Sequence, residues 1–167
     1  MTNSLDATMR RSPRLRKLGS SDLAATFLRL AMGFGLISAV ADRLGFWGPP
    51  GAAMVSWGNF HNFLGYTARL NPWCPTACLP LLGVVVTIAE AGLGILLMLG
   101  ISSRVTSLLT GMMTLAFAVA MTLVLGVHAP LIYSVFTFSA ASFLLASQPP
   151  DKLSIDSFRE LRSLRKE

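Results

Sequence analysis

A small set of side chains supplies most of the chemistry within the apolar part of this chain: Glu90, Arg29, Asp42, Arg43, His61, His128, Cys74 and Cys78. Glu90 stands alone in the middle of LLGVVVTIAEAGLGILLML, residues 81–99. A charge at the centre of a membrane helix costs about 2.5–3.5 kcal/mol on insertion scales, so such a residue has a partner, a cavity or a task. Gly83, Thr87, Glu90 and Gly94 recur at helical spacing and share one face, within about 60° at 100° per residue. Small residues mark faces that meet other helices, which turns Glu90 toward a bundle interior. There it either pins helix register through hydrogen bonds to Thr or Arg neighbours, or it carries a proton or holds a polar headgroup.

Arg29 and Arg43 lie within about 40° of each other on the preceding apolar run, at opposite depths. Arg29 either pairs with Glu90 or extends to the headgroups at its own end, and depth favours the headgroups. Asp42 and Arg43 fall where that run ends and are expected to hydrogen-bond the following loop. His61 sits on an apolar arc, as a packing residue or as a proton or quinone-carbonyl contact near Asp42 and His128. The spacing of the histidines and carboxylates fits no metal-ligand pattern. Cys74 and Cys78 stand four apart around Pro75, so a disulfide in an oxidising space is open to them. Redox-active pairs are more usually Cys-x-x-Cys. The chain shows no nucleophile triad, P-loop or dinucleotide fingerprint.

Composition says what positions these groups. The chain has 167 residues, of which 53% are hydrophobic and only 13% charged, with a mean hydropathy of +0.59. Globular domains carry about 25% charged residues, so this is a membrane composition. The net charge of +6 would suit nucleic acid, but the Lys and Arg flank apolar runs and are better explained by membrane orientation. No nucleic-acid partner is expected.

The pattern predicts an all-α, polytopic membrane protein: a four-helix transmembrane bundle with an external amphipathic helix between the first and second spans. Residues 1–21 form a basic arm with Arg10, Arg11, Arg14, Arg16 and Lys17 against one acid, Asp6. It is too long and polar for an ordinary signal-peptide start. Residues 22–147 form the membrane domain, with spans at about 22–44, 79–99, 104–127 and 131–147. Ser21 or Asp22 is expected to cap the first span, and Gly48-Pro49-Pro50-Gly51 ends that region. Residues 52–70 read as an amphipathic helix with Trp57, Phe60, His61, Leu64 and Ala68 on its apolar arc. Trp47, Trp57, Tyr66 and Trp73 read as an interfacial aromatic belt. Residues 148–167 form a basic tail whose Leu153, Phe158, Leu161 and Leu164 share an arc on a short membrane-surface helix.

The ends and the turn between the second and third spans hold eleven Lys and Arg, against Arg43 and Arg69 in the opposite loops. That bias places both termini in the cytoplasm.

Four stretches carry a family resemblance: LRLAMGFGLISAVADRLGFWGPPG, WGNFHNFLGYTARLNPW, TIAEAGLGILLMLGISSR and MTLVLGVHAPLIYSVFTFSAASFLLA. Their order is an Arg and glycines in the first span, an aromatic helix, an E-x3-G second span, then an Arg opening the third. In that order the chain resembles the DoxX family of small four-span bacterial membrane proteins. The resemblance implies a multi-pass protein of the bacterial inner membrane, associated with membrane redox complexes and thiol stress and, in relatives, with electron delivery to quinone. An accessory subunit that docks a redox or stress-response partner is the leading expectation, with no catalytic residue of its own. A quinone-binding subunit, with quinone as cofactor and Glu90 or His61 handling its proton, is the alternative. A transporter of a small hydrophobic solute is a third class, without the inverted repeat such folds often show. The bilayer is the first partner in every case; a protein partner and self-association stay open.

Overall fold

The computed structural model describes residues 19–164; residues 1–18 of the expected basic arm and the last three residues of the tail lie outside the described residues. The described chain is helical, with no strand among the described residues. Three helices are long and apolar enough to cross a bilayer: α1 (Ser20–Arg43), α3 (Leu79–Leu99) and α4 (Ser103–Leu125). At 1.5 Å per residue each exceeds the roughly 30 Å hydrocarbon thickness. Between α1 and α3 lies the short helix α2 (Phe60–Leu70). After α4 come α5 (His128–Ile132), α6 (Val135–Ser147) and α7 (Ile155–Leu164).

Local chemistry sets most of these limits. Helix α1 begins after Gly19, and Asp22 reaches back to accept the Gly19 N–H at 2.9 Å. The cap is therefore Gly19 rather than Ser21 or Asp22, with Asp22 serving from inside the first turn. Asn59 caps α2 by accepting the Asn62 N–H at 2.8 Å, so the helix starts at Phe60 and not near residue 52. Gly100 ends α3 in the left-handed conformation (φ +67°), where glycine is favoured.

The expected fourth span is not one helix. Ser134 takes a left-handed conformation (φ +54°) and separates α5 from α6. A non-glycine residue there costs about 1–2 kcal/mol, and no Gly or Pro at 133–134 announces the break. Helix α6 alone, at 13 residues, extends only about 20 Å.

Two close helix pairs build the bundle. Helices α1 and α3 run antiparallel and cross at Gly33 and Gly94. A Cβ on Gly33 would stand 2.8 Å from the Gly94 carbonyl oxygen, and one on Gly94 would stand 3.1 Å from that of Gly33. Helices α4 and α6 meet at Gly111, whose carbonyl accepts the Ser139 hydroxyl at 2.9 Å while the Phe143 ring covers its Cα. A small core of Met32, Leu36, Leu97 and Leu145 joins the pairs.

The distribution of polarity is inverted relative to a water-soluble bundle. The buried face of α4 is Ser103, Thr106, Ser107, Thr110, Gly111, Thr114, Ala118 and Met121, while Val105, Leu108, Met112, Val119 and Leu123 point outward. The threonines return their hydroxyls to backbone carbonyls one turn back, as Thr110 does to Thr106 and Thr114 to Thr110. Polar inside and apolar outside is the arrangement that lipid selects and water does not.

Candidate functional site

Glu90 lies midway along α3 and is 3% exposed. Its partner is Arg43, the last residue of α1, whose Nη2 stands 2.5 Å from Glu90 Oε2. Oε2 accepts no aligned hydrogen bond, so the contact is an ion pair in which the N–H bonds are not directed at the oxygen. Arg43 Nη1 also donates to Thr87 Oγ1 at 3.1 Å, and Thr87 donates onward to the Gly83 carbonyl. The Gly83–Thr87–Glu90 edge of the stripe is thus the surface that receives the guanidinium.

Aromatic rings close the other side. Arg43 Cζ lies 3.8 Å from the centroid of Phe63 and 5.1 Å from that of Trp57. The electron-rich ring face attracts the cation where water is excluded. Trp57 and Phe63 hold each other edge to face at 5.4 Å, with Phe60 packed beside Phe63. Gly83 makes room for this packing, since a Cβ there would meet Phe60 and Phe63 at 3.5 Å and would overlap Leu64.

Asp42, the residue before Arg43 on α1, reaches instead to the loop that carries Trp57. Its Oδ2 accepts the backbone N–H groups of Trp57 at 2.9 Å and Ser56 at 3.2 Å, while Oδ1 is buried without a partner. Arg43 Nε is likewise buried and unpartnered. The loop between α1 and α2 is tied down by Asp42, as expected. Arg43 is not part of that tie: it turns inward to Glu90.

Arg29, the other proposed partner, is 1% exposed but belongs to a different cluster at the opposite end of α1. Its Nε pairs with Asp151 at 3.1 Å, and Nη1 donates to the carbonyls of Leu97 at 2.5 Å and Met98 at 2.6 Å. Thr26 donates to Asp151 at 2.8 Å. Neither Glu90 nor the headgroup region takes this guanidinium. The tail is stapled nearby: Asp156 accepts the N–H groups of Ser102 and Ser103 at 2.8 and 2.7 Å, at the start of α4. Burial pushes the Asp156 carboxyl up, but those two N–H bonds, a Ser103 side-chain hydrogen bond and the Arg159 charge outweigh it and leave it below the ordinary aspartate value. Ser154 packs on Gly100 so closely that a Cβ there would stand 2.6 Å from Ser154 Cβ and 2.9 Å from Arg29 Nη1.

The remaining candidates stay apart from both clusters. His61 and His128 are exposed; α2 buries Phe63, Thr67 and Leu70, while on the arc containing His61 the side chains of Phe60 and Leu64 pack toward Gly83 and His61 itself does not. Cys74 and Cys78 are free thiols, so the candidate disulfide is not formed. No group of three or more His, Cys, Asp or Glu able to hold a metal ion occurs among the described residues. A hollow of about 530 Å³ lies elsewhere, on the outer side of α4 beneath Asn71 and Trp73, walled by apolar residues such as Met112, Leu115 and Val119.

Sequence reasoning missed Asp151 and Asp156, which read only as a loop and as part of a basic tail. It also missed Arg43 as the partner of Glu90. One signal was present. Side chains on a helix tilt toward its N-terminus. In an antiparallel pair, Arg43 tilts toward the middle of α1 and Glu90 tilts toward the end where Arg43 lies, whereas Arg29 tilts away.

Compared with protein-family models, curated proteins and solved structures, the chain matches none of them.

Proposed function

We propose that this chain is a DoxX-like integral protein of the bacterial inner membrane, acting as an accessory subunit of a redox or thiol-stress complex. The observation that carries the reading is the inverted polarity: broad apolar outer walls around an interior whose two buried arginines are each paired with a carboxylate. Such a body offers surface to lipid and to a neighbouring subunit and spends its charges on holding its own shape. The redox association comes from the resemblance in the order of sequence features.

In this reading α1, α3, α4 and the α5–α6 segment are the four spans. Support comes from the contact of Asp151 with Arg29, which returns the chain after α6 to the end where α1 begins. Helix α2 then lies at the opposite mouth with His128 and the cysteines. The test is affinity purification of the tagged protein from its native membranes in mild detergent, followed by mass spectrometry. The expected result is a stoichiometric oxidoreductase or thiol-handling partner; purification of the chain alone after crosslinking in the membrane contradicts the accessory role.

A second reading, a quinone-binding subunit, is favoured by one feature. Arg43 presents a guanidinium between aromatic rings at the edge of the membrane interior, beside Thr87 and Glu90. A quinone carbonyl is an acceptor that suits such a donor. A quinone analogue binding equally well to wild type and to Arg43→Gln removes this reading.

A further inference from the structure

The hollow on the outer side of α4 is a groove along that helix. Met112, Val119 and Leu123 line it together with Ala116 and Ala120, and Asn71 and Trp73, from the segment after α2, lie over one end. Ala116 and Ala120 stand one turn apart on a face that otherwise carries Met, Leu and Val, and the side-chain volume they lack leaves the depression. The overhang is held in place. Asn71 Nδ2 donates to the Thr67 carbonyl at 2.9 Å, and the Asn71 carbonyl accepts the Cys74 N–H at 2.9 Å.

The dimensions select an occupant. From Met112 to Leu123 α4 advances about 16 Å, close to half of the roughly 30 Å hydrocarbon thickness. The groove thus runs the depth of one leaflet, from the α2 mouth toward the bilayer centre. A volume of about 530 Å³ spread over that length leaves a section of about 30 Å², roughly a third of that of an α-helix about 10–12 Å across. A partner helix is too wide to enter, whereas a single hydrocarbon chain fits. Covering an apolar wall in lipid brings no hydrophobic gain, but an unfilled void forfeits dispersion contacts, so a chain that fills it is favoured.

The rim suits a phosphate. Arg69 is exposed in the last turn of α2, two positions before Asn71, and makes no ion pair among the described residues. No Asp or Glu occurs from residue 44 to 89 or from 103 to 147, and the acids at this mouth, Asp42 and Glu90, are buried. Trp73 is exposed beside Asn71, an amphipathic ring of the kind that sits at headgroup depth.

We propose that this groove is a lipid site, holding one acyl chain of a phospholipid from the leaflet on the α2 side, with Arg69 as the cation for its phosphate. The site rests on α1, α3 and α4 crossing the bilayer and stands without the redox reading.

Native mass spectrometry of the full-length protein, released from its own membranes in mild detergent, tests it. The expected spectrum shows one phospholipid retained per chain after free lipid is removed. Ala116→Leu/Ala120→Leu fills the groove and should lose that adduct, and Arg69→Ala should retain less of it. Ile88→Ala, on an exposed stretch of α3 outside the groove, should keep it. Because the filled variant can fail to fold, wild-type protein in phosphatidylglycerol vesicles, doped with a phosphatidylglycerol that carries a photoreactive acyl chain, provides a second arm. Crosslinks are expected to concentrate on residues 112–123 and Trp73. Crosslinks spread evenly over the outward residues of α1, α3 and α4 overturn the proposal, as does a wild-type spectrum with no retained lipid or a folded filled variant that keeps the adduct. A retained isoprenoid quinone in place of a phospholipid, or a dimer that the filled variant splits, overturns it as well. Recovery of the protein in the aqueous fraction without detergent removes the membrane reading and the site with it.

Discussion

At the scale of single residues, Arg43 is the position on which most depends. It neutralises Glu90, stacks on Phe63 and binds Thr87. Removing one partner of a buried pair leaves an uncompensated charge, which typically costs about 3–5 kcal/mol. Arg43→Ala is therefore expected to destabilise the protein by about that much in detergent-mixed-micelle unfolding. The double variant Arg43→Leu/Glu90→Leu is expected to recover much of the loss, because it removes both charges of the pair together. A double-variant loss equal to the sum of the losses of Arg43→Leu and Glu90→Leu alone would mean that the ion pair contributes no coupling. The importance of Glu90 was legible in the sequence, since a lone acid in an apolar run is conspicuous. Its partner was not, because two arginines on one helix face compete for it. Only the antiparallel register set by Gly33 and Gly94, together with side-chain tilt, decides between them.

Asp156 gives a second residue-scale prediction. It accepts two N–H groups at the start of α4, the arrangement of an N-terminal cap supplied from outside the helix. Asp156→Ala is expected to cost about 1 kcal/mol. Its carboxyl is held below the ordinary aspartate value in the folded protein. That stabilisation is present above the ordinary value and is lost as pH falls through the lowered folded value. Hydrogen-exchange protection in the first turn of α4, measured against the intrinsic rate at each pH, should fall in strong acid for wild type and should already be low near neutral pH in Asp156→Ala. Wild-type protection unchanged in strong acid would sink this.

At the scale of elements, the long helices and their ends were readable because apolar length and Gly or Pro punctuation mark them. The second span was expected at 79–99, and α3 is Leu79–Leu99. The broken fourth run was not readable, because Ser134, which takes the left-handed conformation there, carries no breaker chemistry. Helix α2 was placed correctly in order but started late. The face it buries is chosen by Gly83 on α3, which one helical wheel cannot reveal. The Gly33–Gly94 crossing is the element-scale prediction. Close backbone approach leaves no room for a side chain, and overpacking costs about 1–3 kcal/mol. Gly94→Leu is expected to lower stability by that amount and to loosen the Arg43–Glu90 contact. Gly92→Leu, whose site has open space around it, should do neither.

At the scale of the whole molecule, one description covers both ends. The bundle is clamped at one mouth by Arg43 with Glu90 and Asp42, and at the other by Arg29 with Asp151 and by Asp156 on α4. The first clamp was half visible in the sequence and the second was not. Asp151 follows two prolines, where an acid reads as ordinary loop chemistry, and its partner is 122 positions away. The clamps matter to topology because the second requires the chain after α6 to return to the side where α1 starts. The proposed four-span arrangement, with the α5–α6 segment as its fourth crossing, is consistent with that return.

The direct measurement is thiol labelling with a membrane-impermeant reagent on intact cells. Native Cys74 and Cys78 lie at the α2 mouth; a Ser163→Cys variant in a Cys74→Ser/Cys78→Ser background reports the tail. Four spans with cytoplasmic termini predict labelling of the native cysteines on intact cells and labelling of position 163 only after lysis. Labelling of position 163 on intact cells would contradict that topology.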